Sequence, residues 1–161
     1  VGGKKAIFDT IEPILKQMGS TVTLTGKIGA GNVTKLANQI MVACNIAAMG
    51  EALVLATKAG LDPEVVFNAV KAGLAGSTVL NVKAPMVYGR NFKPGFRVRL
   101  HQKDLRNALQ AAESLKVSLP LTSTGQNRLI DLMNNGKGDL DHSALVQVIE
   151  EASAVEVKKP S

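Results

Sequence analysis

Between Val33 and Gly60 the chain carries no proline, and from Ile40 to Ala56 it is apolar at almost every position. That pattern predicts one long helix covered on several sides, about thirty residues and ~45 Å in length. The stretch that leads into it, Gly26-Lys27-Ile28-Gly29-Ala30-Gly31-Asn32, is built from residues that allow unusual backbone angles and close approach of a second segment. Shorter amphipathic runs surround this central element. Ile7, Phe8, Ile11, Ile14 and Leu15 recur at helical spacing within Lys4 to Met18, with Gly19 as the stop and Pro13 as a source of a kink or a displaced start. Thr21 to Leu24 is a β-type run, and it needs a sheet that the rest of the chain does not supply.

Downstream the helical pattern returns five more times. Asp62-Pro63 is an N-cap followed by proline at the first helical position, opening a helix through Val65, Val66, Phe67 and Val70 to Gly73. Ser77 or Thr78 caps the next, through Leu80, Val82 and Met86, with Pro85 limiting its regularity. Asn91 to Phe96 reads as a turn. From Leu100 to Leu115 the pattern turns Leu105, Ala108, Leu109 and Ala112 inward and Lys103, Arg106, Gln110 and Glu113 outward. Pro120 opens a helix that ends near Asn135-Gly136, Asp141 or Ser143 caps a last one through Leu145 and Ile149, and the tail after Ser153 is expected to fray. The fold class is therefore all-α, a multi-helix domain around one long central helix.

Composition sharpens this. Of the 161 residues, 45% are apolar but only 3% aromatic, and Trp is absent, which favours close helix packing over a β-sandwich. The net charge of +6 does not gather into one basic amphipathic block and has almost no aromatic stacking platform beside it, so nucleic acid is not the expected partner. The apolar run is interrupted by Asn45, Gly50 and Glu51 and is shorter than a usual span, so no membrane is expected either. Cys44, the single cysteine, offers neither an internal disulfide nor a thiolate metal site. The chain opens on Val1-Gly2-Gly3 without an initiator Met and reads as a piece cut from a longer, cytoplasmic protein.

The chemistry centres on two residues. Lys35 and Asn38, three apart near the start of the long helix, stand one above the other, so an ammonium donor and an amide can face one small molecule. Gly29 to Thr34 imitates a dinucleotide fingerprint, but its third small position is Thr34 and no second parallel strand with a terminal acid follows. Arg90, Lys93, Arg97, Arg99, Lys103 and Arg106 stand against Asp104 alone, a region suited to an anionic ligand. His101 and His142 lack the spacing of a metal site, and Ser77, His101 and Asp104 lack that of a triad.

Four motifs together carry a family resemblance: Gly26-x-x-Gly29-x-Gly31-x-x-x-Lys35-x-x-Asn38, Gly73-Leu74-Ala75-Gly76-Ser77-Thr78, Asn91-Phe92-Lys93-Pro94-Gly95-Phe96, and Lys103-Asp104-Leu105. The chain resembles the carboxyl-terminal half of the β-hydroxyacid dehydrogenases, whose helical domain is of the 6-phosphogluconate dehydrogenase type. The resemblance implies a remnant of a Rossmann domain over residues 1–25 and a helical catalytic and dimerisation domain over residues 26–161. It implies NAD or NADP as cofactor, bound mainly by a Rossmann domain upstream, no metal, and a small 3-hydroxy or semialdehyde acid as substrate. Lys35 is then the proton donor to the carbonyl oxygen, Asn38 holds the substrate with Phe96 and Asp104 on the same wall, and Lys103 contacts the cofactor. Family members also associate through the long helix, so a homo-oligomer is expected and the isolated piece should be inactive. An assembly domain without turnover is the competing reading, and the presence of both Lys35 and Asn38 favours the enzyme.

Overall fold

The computed structural model describes residues 1–160. Its helices are α1 (Lys5–Leu15), α2 (Ala30–Lys58), α3 (Pro63–Val70), α4 (Thr78–Tyr88), α5 (Val98–Leu115), α6 (Pro120–Asn134), a single 3-10 turn (His142–Ala144) and α7 (Leu145–Ser153). Two compact units share α2: the first is Val1–Gln39, and the second begins at Ile40.

In the first unit, Gly29 adopts a left-handed φ of 93° and turns the chain into α2. The opening residues lie against that turn. A Cβ on Gly2 would stand 2.6 Å from the Lys27 carbonyl oxygen, a distance real Cβ atoms do not show, so glycine is what lets the amino-terminal backbone come this close to the turn before α2. Thr21 to Leu24 does not form a strand. The Val1 amino group donates to the Thr23 carbonyl, the Val1 carbonyl accepts from Thr25 N–H, and Gly3 N–H donates to the Gly26 carbonyl, all at 2.8 Å, yet only one parallel bridge, Gly2 to Gly26, results. A strand needs a neighbour along its length, and among the described residues there is none. Helix α1 ends three residues short of Met18, contains Pro13 and leaves Ile7 and Ile14 more than half exposed.

The second unit holds the core. Ala43, Ile46, Met49, Leu53 and Val54 of α2 are buried with Leu80, Ala84 and Val87 of α4, Leu105 of α5, Leu129 and Leu132 of α6, and Leu145 and Val146 of α7. Helix α5 packs on α6, α3 on α4, and α6 on α7. By length and composition α2 could cross a membrane, yet its inner stripe is the centre of this core. The caps are where the sequence places them: Asp62 accepts from Glu64 N–H at 2.8 Å ahead of Pro63, and Ser77 Oγ accepts from Leu80 N–H at 2.9 Å.

One face of α2 is not covered. Met41, Asn45, Ala48, Ala52 and Leu55 are exposed at alternating spacings of four and three, which aligns them along the helix. A groove of about 310 Å³ between α2, α6 and α7 lies on one side of this stripe, and one of about 420 Å³ beside the α3–α4 connection on the other.

The tail does not fray as expected. Val157 is fully buried, its N–H donates to Glu150 Oε1 at 2.8 Å, and Arg90 donates both to Glu150 at 2.6 Å and to the Val157 carbonyl at 3.2 Å. Lys159 continues the attachment through an ion pair with Glu64 at 2.8 Å. Burying a valine is worth ~1.5 kcal/mol or more, enough to hold a short segment whose polar groups are also paired.

Candidate active site

Lys35 and Asn38 belong to the first unit; Phe96, Lys103 and Asp104 belong to the second. On α2, Lys35 and Asn38 are both exposed, while their neighbour Gln39 is only 6% exposed. Asn38 Nδ2 donates to Gln39 Oε1 at 2.9 Å, which orients the Asn38 amide before any ligand arrives. Gln39 was not among the expected site residues. It lies four residues before Ala43 on the buried stripe of α2, and a lone polar side chain on an apolar stripe is the signal that could have found it.

In the second unit the expected residues gather at the start of α5. Lys103 Nζ lies 2.9 Å from Asp104 Oδ1, with the lysine half exposed and the carboxylate nearly buried. One donor of the half-exposed ammonium is held by Asp104, and an ammonium has three donors in all. His101, one turn earlier, and Asp104 share the buried face of α5 with Leu105 and Ala108. Phe96 lies just ahead of this helix, edge-on to His101 with ring centroids at 5.9 Å and to His142 at 5.4 Å. The two imidazoles meet directly, Nδ1 to Nδ1 at 2.9 Å. Burial, then His101 and the Lys83 charge, push His142 down to about 3, so it is neutral at any physiological pH.

Asp141 lies under the same loop. Burial alone would raise its pKa, but the N–H of Ser143, the Lys83 ammonium and the N–H of Phe96 bring it down to about 2. The basic run found in the sequence is largely answered by carboxylates. Arg90 pairs with Glu150 and Glu156, Arg97 and Arg99 share Asp139, and Lys103 pairs with Asp104. The positive region is therefore less open to an anionic ligand than its charge count implies. Among the described residues no group of three or more His, Cys, Asp or Glu is arranged to hold a metal.

Residues 29–149 match the family described as the NAD-binding domain of NADP-dependent 3-hydroxyisobutyrate dehydrogenase. The chain belongs to this family. It is 47% identical over 150 residues to 2-hydroxy-3-oxopropionate reductase of Escherichia coli (strain K12), an alignment covering 93% of this chain and 51% of that enzyme. It is 34% identical to 3-hydroxyisobutyrate dehydrogenase of Pseudomonas aeruginosa, covering 90% of this chain and 50% of the relative. Among solved structures, the Mycobacterium tuberculosis 3-hydroxyisobutyrate dehydrogenase with L-serine superposes with a TM-score of 0.85 at 27% identity, over 92% of this chain and 53% of that one. The family members are NAD-binding oxidoreductases of the 3-hydroxyacid dehydrogenase kind, and this chain spans about half the length of the relatives it matches.

Proposed function

We propose that this chain is the helical part of an NAD(P)-dependent reductase that interconverts tartronate semialdehyde, which is 2-hydroxy-3-oxopropionate, and D-glycerate. The observation that carries the reading is the 47% identity to the Escherichia coli reductase across almost the whole chain. The exposed Lys35 and the pre-oriented Asn38, side by side on α2, support it chemically. In this reading residues 1–25 belong with an amino-terminal Rossmann domain, and residues 26–161 form the helical catalytic and dimerisation domain of a cytoplasmic enzyme.

When bound, the nicotinamide cofactor supplies the hydride that reduces the aldehyde carbon. Lys35 gives a proton from its ammonium to the carbonyl oxygen as that oxygen becomes an alcohol, and in the reverse direction the amine takes the proton back. Asn38 holds the substrate beside Lys35. Lys103, steadied by Asp104, would help hold the cofactor, and Phe96 and Asp104 would form a substrate wall within the second unit. The exposed stripe of α2 and its two flanking grooves are where a second copy of the chain packs.

A substrate of the 3-hydroxyisobutyrate or succinic semialdehyde type is the second reading, favoured by the family description and by the 34% identical relative. Comparing kcat/KM of the complete polypeptide on tartronate semialdehyde, succinic semialdehyde and 3-hydroxyisobutyrate decides between them. Preference for either of the latter two overturns the first reading.

A further inference from the structure

Phe96 stands on the connection between α4 and α5, and such a segment keeps one geometry only where its backbone groups are tied down. Asp141 ties this one. Its Oδ2 accepts from the N–H groups of Gly95 at 3.0 Å and Phe96 at 3.1 Å, and its Oδ1 accepts from Ser143 N–H at 3.0 Å. Lys83, reaching from α4, donates to both oxygens at 2.9 and 3.0 Å. Asp141 is fully buried, and the Lys83 side chain is only 12% exposed. The main chain adds two more links, from Asp141 N–H to the Phe92 carbonyl at 3.0 Å and from His142 N–H to the Phe96 carbonyl at 2.9 Å. Capping the short 3-10 turn requires only the contact with Ser143. The other donors to this carboxylate come from the Phe96 loop and from a lysine with no place in the cap.

We infer that Lys83 and Asp141 are positioning residues for the hydroxyacid site: their buried ion pair fixes the main chain at Gly95 and Phe96, and so sets the Phe96 ring and the entry of α5 that carries Lys103 and Asp104. The inference rests on the proposed role of Phe96 in the substrate wall. A buried carboxylate without its ammonium, or the reverse, leaves an uncompensated charge, so the pair holds the loop only while both members are present. Neither residue touches the reacting atoms in this scheme. Both act through Phe96.

Steady-state kinetics of the complete enzyme with Asp141→Asn, Phe96→Ala and the double variant tests this. A displaced substrate wall predicts a fall in kcat/KM of about 10- to 100-fold for Asp141→Asn. Because Asp141 works through Phe96, the double variant should lie within about threefold of Phe96→Ala alone. A purely structural role predicts losses that multiply, and that result overturns the inference, as does a folded Asp141→Asn enzyme with unchanged kcat/KM. If Asp141→Asn fails to fold, the same cycle built on Lys83→Met carries the test, with the same two outcomes. The proposed function stands or falls separately on Lys35→Ala: multiplying losses beside an inactive Lys35 variant refute only the positioning role, whereas an active Lys35 variant refutes the reading itself.

Discussion

His101 and His142, forty-one residues apart, face each other Nδ1 to Nδ1 at 2.9 Å in the buried layer beneath Phe96. At that distance one nitrogen carries a proton and the other a lone pair. His142 Nε2 is buried without a protein partner, and an unpaired N–H is the rarer state in a protein interior, so the proton of His142 belongs on Nδ1 and His101 accepts it.

The pair makes the fold sensitive to mild acid. The folded chain holds His142 at about 3 against an ordinary 6.5, so below pH 6.5 the unfolded chain binds a proton that the folded chain refuses. This contribution to stability is whole above pH 6.5 and is lost as pH falls toward 3. The melting temperature of the chain, followed by circular dichroism, should drop by several degrees between pH 7 and pH 5, and His142→Asn should flatten that dependence. Parallel curves for the two proteins would refute the assignment.

Asp141 acts in a lower window. Its folded pKa of about 2 lies beneath the ordinary 3.8, so its stabilisation is present above about pH 4 and disappears as pH falls through 2. The shift corresponds to roughly 2 kcal/mol. Asp141→Asn should therefore be less stable than the parent at pH 6 in denaturant titrations, and the gap should narrow at pH 2 to 3. An undiminished gap there would mean that packing, and not charge, accounts for the loss.

Lys35→Ala in the complete enzyme should cut turnover ~100-fold or more, the usual loss on removing a general acid, with cofactor affinity almost unchanged. Asn38→Ala should raise KM as well, because Asn38 is proposed to hold the substrate. A Lys35 variant that keeps a third of wild-type turnover when chemistry limits the rate would end the assignment.

The exposed stripe Met41, Asn45, Ala48, Ala52 and Leu55 predicts self-association. Met41 is 59% and Leu55 72% exposed in the single chain, and burying such side chains gains ~1.5 to 3 kcal/mol each. Sedimentation equilibrium at micromolar concentration should give a multiple of the 16.9 kDa chain mass. Ala48→Glu, in the middle of the stripe and on the rim of both grooves, should shift it toward monomer. A wild-type chain that sediments as a folded monomer would refute the interface.

Local rules wrote most of the helices into the sequence. Asp62-Pro63, Ser77 and Pro120 fix helix starts through their own backbone chemistry, and the spacing of Leu105, Ala108 and Ala112 marks the inner face of α5 because side-chain direction follows helical geometry. Lys35 and Asn38 were legible for the same reason: three residues on a helix define their own juxtaposition. What no local rule contains is a meeting of distant segments. Lys83 met Asp141 across fifty-eight residues and His101 met His142 across forty-one, and Asp141, read alone, is an ordinary helix cap. The tail after Ser153 looked free because its few apolar residues form no pattern, yet Val157 found a place in the core once Arg90 and Glu150 could satisfy its backbone. The sequence by itself determined which helices form and which faces turn inward, since those depend on neighbours a few positions away. The tertiary structure decided which buried charges and imidazoles share a partner, because only packing brings them within hydrogen-bonding distance and removes the water that would otherwise keep them apart.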